Sequence, residues 1–249
     1  MTRANVHPTS VVDPGAKLAE GVEVGPLCVV GAGVTIGVGT RLLGSCTILG
    51  PTTLGARNVV HPYAVLGGAP QDRTYAGEPT TLIIGDDNDI REHVTMSRGT
   101  KKDRGTTTVG DRGLFMAGAH VAHDCEVGSD VVLANATLLG GHVKVGSGVV
   151  TGGGVAIAPF VRIGRIAFLA GGAMVERDIP PFVIAAGDRA RVRAPNHVGL
   201  RRHGVPEASI AALDRAHRSL FHHRSSVPDS VSGDPFVAEL VRFFDAIGT

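Results

Sequence analysis

The sequence predicts an all-β fold: a parallel β-helix of hexapeptide repeats, finished by a C-terminal α-helical cap. Three observations carry this reading. An aliphatic residue recurs at every sixth position over most of the chain. Glycine makes up 35 of the 249 residues, about twice its ordinary share. Aromatic residues are only 4 % and tryptophan is absent, so the core has to be narrow, aliphatic and repetitive.

The repeat begins at Val6 and runs through Val12, Leu18, Val24, Val30, Ile36, Leu42, Ile48, Leu54, Val60 and Leu66. With 43 % hydrophobic residues overall, eleven such positions in a row arise by chance about once in ten thousand trials. Four positions after each anchor lies a mostly small residue, from Ser10 and Ala16 through Cys28, Thr40 and Cys46 to Asn58 and Ala64. The residue directly after an anchor is often glycine (Gly25, Gly31, Gly37, Gly55, Gly67), which fits a turn that needs positive φ. The pattern resumes at Ile84, Ile90 and Met96, and again from Val109 to Val175, where only Thr151 breaks the series. A period of six suits neither a 3.6-residue helix nor a simple alternating strand. It suits a short strand and a tight turn, repeated three times per triangular coil, so that residues one coil apart stack at ~4.8 Å. Residues 6–185, less two breaks, give about nine coils and a prism roughly 40 Å tall.

The breaks fall near 68–80 and 98–106, and loops on a rigid scaffold tend to carry function. The β-helical domain is expected over 1–187 and a helical region over 188–249. Pro206 to about Arg224 reads as an amphipathic helix with Ile210, Leu213, Leu220 and Phe221 on one face. Ser225–Gly233 reads as a linker, and Asp234-Pro235 opens a last helix bearing Phe236, Leu240, Phe243, Phe244 and Ile247. Such a cap closes one open end of a solenoid.

Composition excludes several functions. Lys and Arg total 24 against 23 Asp and Glu, a net charge of +1, which argues against a nucleic-acid binder. Three cysteines (Cys28, Cys46, Cys125) without a CxxC pair suit neither a disulfide scaffold nor a structural zinc site. Cys28 and Cys46 are one coil apart and read as stacked core residues. The N-terminus lacks a basic-then-apolar leader, and no apolar run approaches the ~18 residues of a membrane span. The expectation is a soluble cytoplasmic protein.

Candidate chemistry lies in the middle coils, at His120, His123 and His142. His123 opens a His-Asp-Cys triplet, and Gly141 falls one coil above it. A neutral imidazole can take a proton from a hydroxyl near pH 7, and a backbone N–H one strand away can stabilise an oxyanion. Asp124 or another carboxylate could raise the basicity of the ring. The other reading is a set of surface histidines on a solvated face. Arg189, Arg191, Arg193, Arg201 and Arg202 are dense enough to suggest an anion site.

The hexad pattern resembles the hexapeptide-repeat acyltransferases, whose coil is a left-handed parallel β-helix; the left hand comes from that resemblance. Some left-handed β-helices are zinc enzymes with histidine ligands spaced five apart. His120 and His123 are three apart and project from different faces, so no metal is expected. Closer matches are Ala-Gly-Ala-His-Val-Ala-His-Asp-Cys (117–125), Pro-Gln-Asp (70–72), Tyr-Ala-Gly-Glu-Pro (75–79), Gly-Gly-His-Val (140–143), Ile-Pro-Pro-Phe-Val-Ile-Ala (179–185) and Gly-Leu-Arg-Arg (199–202). Together these resemble the UDP-N-acetylglucosamine O-acyltransferase family of lipid A synthesis, over nearly the whole chain.

The resemblance implies that His123 is the general base on the sugar 3-hydroxyl, which attacks the thioester of an acyl-acyl-carrier-protein. It makes the Gly141 N–H the oxyanion donor, with Asp124 beside the base. Gln71 and Asp72 match the sugar-holding loop, and His120 and His142 match cleft histidines, His142 near the N-acetyl group. Asn196 and Arg202 match residues that reach the nucleotide of a neighbouring subunit in a homotrimer. Phe168, Gly171 and Arg189 match the wall of the acyl groove, where a Phe and a charge favour a short or medium donor. No cofactor is implied.

Three positions depart from the family pattern. Thr74 stands where Gln-Asp-x-Lys-Tyr has Lys, Ser97 where His-Arg-Gly has His, and Ala158-Pro159-Phe160 replaces His-Gln-Phe. These changes motivate an alternative: N-acylation of an amino-sugar nucleotide, with acyl-coenzyme A a further candidate donor. A β-helical zinc enzyme and a non-catalytic binding trimer are the remaining alternatives.

Overall fold

A computed structural model describes residues 3–223 and 225–247. Arg224 and the side chain of Ile247, both named above in the helical reading, lie outside what is described. Among the described residues the short strands stack into three sheets of eleven, nine and eight strands, the three faces of a triangular prism. Neighbouring strands of the coils are parallel, and the hexad anchors are the residues that turn inward: Val24, Leu42, Ile48, Leu66, Val121 and Leu139 are all buried. Each contributes about 1.5–3 kcal/mol of burial, which is how so few aromatics suffice.

Register follows the predicted spacing. Asn5 pairs with Glu23 and Leu114 with Val132, one coil of 18 residues on. At the first break the pairing jumps to Val59 with Asp89, and at the second to Asp89 with Leu114. Both loops therefore leave the prism between coils that otherwise stay stacked.

Glycine takes a different role from the one expected. Gly37 has no positive φ; a Cβ added there would lie 2.6 Å from the carbonyl carbon of Gly55 in the next coil. At four of the five positions named above, Gly31 excepted, a neighbouring coil approaches too closely for a Cβ, and only Gly67 has positive φ (77°). The left-handed corner falls three after the anchor, and non-glycine residues occupy it: Tyr63, His93, Asp124, His142 and Phe160.

The small-residue column contains a polar ladder. Asn88 donates from Nδ2 to Asn58 Oδ1 (3.0 Å) and Gly110 O (3.0 Å), and its Oδ1 accepts from Gly113 N (2.7 Å). Thr151, the break in the anchor series, is buried with its hydroxyl bonded to Thr137 (2.8 Å) and to the Ala134 N–H (3.0 Å). We expect Asn88→Ala to destabilise the protein by about 2–4 kcal/mol, because it strands several buried groups at once. Thermal unfolding measures this, and an unchanged midpoint would contradict it.

Val183–Ala186 pairs antiparallel with Arg191–Pro195 at the C-terminal end of the prism. Helix α1 (His197–Arg202) follows, capped by Asn196, and then α2 (Glu207–His217). The predicted helix ends earlier than Arg224 as an α-helix and continues as a π-helical turn, Arg218–His223. Within the expected linker, Pro228 starts a short helix α3 (Asp229–Ser232), whose Val231 is buried. Asp234 accepts from the N–H groups of Phe236 (2.9 Å) and Val237 (3.2 Å), starting α4 (Pro235–Ile247). Phe182, Leu200, Leu213, Val237 and Leu240 form a second core beneath the cap.

Candidate active site

The hexad places His123, Gly141 and Pro159 in one vertical column and Asp124, His142 and Phe160 in the next. This is the corner between the second sheet, which holds Leu138–Leu139, and the third, which holds Glu126–Val127. His123 Nδ1 lies 2.9 Å from Asp124 Oδ2, and the His123 side chain is 15 % exposed while that of Asp124 is fully buried. The carboxylate also accepts from Thr100, at Oδ1 from its N–H (2.8 Å) and at Oδ2 from its hydroxyl (2.7 Å). A buried carboxylate on Nδ1 makes that nitrogen the donor and leaves the Nε2 lone pair for an incoming proton.

Gly141 is what gives the imidazole its place. A Cβ there would lie 2.6 Å from His123 Cε1 and 2.8 Å from Nε2. Among the described residues, no carbonyl accepts from the Gly141 N–H. A donor left without a backbone acceptor, one coil from a candidate general base, is a group an oxyanion could use.

His142 meets His123 edge-on, with ring centroids 5.1 Å apart, and stacks on Phe160 at 4.4 Å. Its Nδ1 is 3.1 Å from Asp103 Oδ2, and this contact holds the Asp103 carboxyl below its usual range. His120 points out from the second sheet and bonds Thr95 Oγ1 at 2.7 Å. Burial, and secondarily His123, push its pKa down. Burial pushes the Cys125 thiol up to about 12, which suits packing and not nucleophilic attack.

His123, Asp124 and His142 bring ligand-type atoms within 4.8 Å of one another. Asp124 is filled by Thr100 and His123, and His142 Nδ1 is engaged by Asp103, so the donor set serves a hydrogen-bond relay better than an ion.

In the first loop, Asp72 Oδ1 accepts from the Thr74 N–H (2.8 Å) and hydroxyl (2.9 Å), and Oδ2 from Lys102 Nζ (2.7 Å). Those three donors hold its carboxyl far below the usual range, the ammonium foremost. Gln71 is exposed beside it. Arg98 ties the loop down, donating to Gly67 O (2.9 Å) and Tyr75 Oη (3.1 Å). Thr100, Lys102 and Asp103 were not singled out by motif. Their only signal in the sequence is membership of a polar stretch in the second break.

The other predicted residues lie elsewhere on the single chain. Phe168, Asn196 and Arg202 line one cavity of ≈ 270 Å³ on the first sheet. Asn196 is largely committed to the fold: its Oδ1 accepts from Gly199 N (3.0 Å) and its Nδ2 donates to Ile166 O (2.8 Å). Gly171 sits at the corner between the first and second sheets. The Arg189 side chain is 74 % exposed near Glu176, so the charge weighed against a long acyl chain swings out to solvent. The arginine group is dispersed, with Arg201 paired to Glu207 at 2.7 Å and Arg193 bonded to Ala186 O. Of the five, Arg202 alone faces the cavity with Phe168.

Comparison with known proteins adds independent findings. Residues 178–247 match a family model described as UDP N-acetylglucosamine O-acyltransferase, domain 2. The chain is 44 % identical over 91 % of its length to the acyl-acyl-carrier-protein–UDP-N-acetylglucosamine O-acyltransferase of Syntrophobacter fumaroxidans, covering 88 % of that protein. It is 45 % identical over 92 % of its length to the enzyme of the same name from Halorhodospira halophila, again covering 88 %. The crystal structure of UDP-N-acetylglucosamine O-acyltransferase from Moraxella catarrhalis RH4 superimposes with a TM-score of 0.91 at 36 % identity, over 98 % of this chain and 97 % of that one. The fold is thus the left-handed parallel β-helix with a helical cap.

Proposed function

The chain belongs to the UDP-N-acetylglucosamine O-acyltransferase family, and from that premise we propose how its residues carry out acyl transfer. The acyl group passes from an acyl-carrier-protein thioester to the 3-hydroxyl of UDP-N-acetylglucosamine. The observation that carries the mechanism is the His123–Asp124 pair at 2.9 Å beneath Gly141. His123 Nε2 takes the proton of the 3-hydroxyl as its oxygen attacks the thioester carbonyl. The Gly141 N–H holds the oxyanion, and the thiol leaves with the proton returned by His123. Asp124 fixes the ring, and Asp72 accepts hydrogen bonds from the sugar.

N-acylation of an amino sugar is not favoured, since the named relatives are O-acyltransferases. The donor groove is bounded by Phe168 and Gly171; with Arg189 turned outward, only Phe168 still argues for a short or medium chain.

The site is completed in a homotrimer. The outward column of the first sheet carries Leu114, Val132, Val150 and Phe168, and that of the second carries Leu138 (48 % exposed), Ala156 and Met174 (43 % exposed). The third carries Glu126, Lys144 and Arg162, linked by ion pairs including Lys144–Glu126 at 2.8 Å. Two apolar faces and one charged face close a ring in which the first face of one copy meets the second face of the next. That puts the cavity of Phe168, Asn196 and Arg202 beside a neighbour's His123. A solution mass of three times 25.6 kDa is expected, and a monomer would contradict the ring. No helix among the described residues is long and apolar enough to cross a membrane, and a cytoplasmic location is part of the proposal.

The test is thiol release from acyl-carrier-protein donors of graded length, with UDP-N-acetylglucosamine as acceptor and mass spectrometry of the product. An ester labile to mild base is expected. No thiol release with any donor, or an amide product, would overturn the reading. A preference for about fourteen carbons or more would show that Phe168 does not bound the groove.

A further inference from the structure

Asp72 is anchored by a residue from another part of the chain. Lys102 Nζ reaches its Oδ2 at 2.7 Å across the gap between the two loops, while Thr74 occupies Oδ1. The Asp72 side chain is only 12 % exposed and that of Lys102 is half-exposed. A lone ion pair with a half-exposed lysine adds little to stability, so holding the loops together is a weak reason for this contact. Its neighbours suggest a stronger one. Two residues before Lys102, Thr100 grips Asp124 through both its N–H and its hydroxyl. One residue after it, Asp103 meets His142. A single four-residue segment therefore fixes the Asp72 carboxylate relative to both catalytic-corner histidines.

We propose that Lys102 is a sugar-positioning residue, which orients the Asp72 carboxylate toward the acceptor's ring and offers its remaining N–H donors to a sugar oxygen. This rests on the acyl-transfer reading above. It explains how the cleft keeps a cation although position 74 is threonine. Thr74 Oγ1 already lies 2.9 Å from Asp72 Oδ1, so a longer amine placed at position 74 would reach the same carboxylate.

The experiment is titration calorimetry of the full-length protein with UDP-N-acetylglucosamine and, separately, with UDP. Lys102→Ala should weaken binding of the nucleotide sugar about tenfold, the worth of a charge-assisted hydrogen bond, and leave UDP binding unchanged. Adding Thr74→Lys to that variant should restore sugar binding. Unchanged affinity for the nucleotide sugar, or equal weakening toward both ligands, would overturn the proposal. So would a loss reversed neither by Lys102→Arg nor by the Thr74→Lys relocation, because charge at Asp72 would then not be the operative quantity. Binding is read without turnover, so intact sugar binding with no acyl transfer would sink the functional reading alone.

Discussion

Replacing His123 with alanine is expected to lower kcat by about 10²–10⁴, the usual worth of a positioned general base, with the fold intact. The side chain sits at an outward corner, two residues after the core anchor Val121, and makes no contribution to the buried column. Its removal leaves Asp124 still held by Thr100 at both oxygens, so the corner keeps its backbone. The Gly141 N–H and the sugar contacts also survive, which is why some rate should remain. Initial rates of thiol release, read beside thermal unfolding, measure both halves. A variant that turns over like the parent would remove His123 from the mechanism, and one that fails to fold would show that the ring is structural.

Gly141→Ala is the second large effect. Its backbone is outside the positive-φ set, so alanine is conformationally allowed there and the fold should persist. The added methyl, however, would occupy the space of the His123 ring, 2.6 Å from Cε1. The ring can swing away only by giving up its 2.9 Å bond to Asp124. A displacement near 1 Å costs about 10²-fold in rate, and a disturbed oxyanion donor about 10²–10³-fold. We therefore expect kcat to fall by about 10²–10³. Gly31→Ala is the control, since its Cβ would meet nothing closer than 3.5 Å and it lies coils away. Equal rates in Gly141→Ala and Gly31→Ala would mean that the ring does not depend on the absent Cβ.

Periodicity carried much of this architecture because one side chain per six residues does one job, filling a narrow axis. The same arithmetic put Gly141 over His123, a contact across coils that needs no knowledge of loops. It could not reach Thr100 or Lys102. Their partners, Asp124 and Asp72, lie across the two breaks, where the register jumps and spacing no longer reports neighbours. The capping role of Asn196 was hidden for a related reason: α1 is six residues long, too short to display a helical period. Glycine was misassigned because two constraints, positive φ and close approach, select the same residue. Only coordinates separate Gly37, where the next coil's backbone excludes a Cβ, from Gly39, where φ is 66°. The arginines of the C-terminal region are neighbours in sequence, whereas in the fold they take separate partners, Arg201 with Glu207, Arg193 with the Ala186 carbonyl and Arg189 with Glu176.

The most direct measurement is a crystal structure of the protein with UDP-N-acetylglucosamine bound. The account predicts the sugar 3-hydroxyl within about 2.6–3.2 Å of His123 Nε2, the ring against Asp72, and the nucleotide in a neighbouring copy's cavity beside Arg202. A nucleotide sugar seated with its 3-hydroxyl beyond reach of His123 would contradict it.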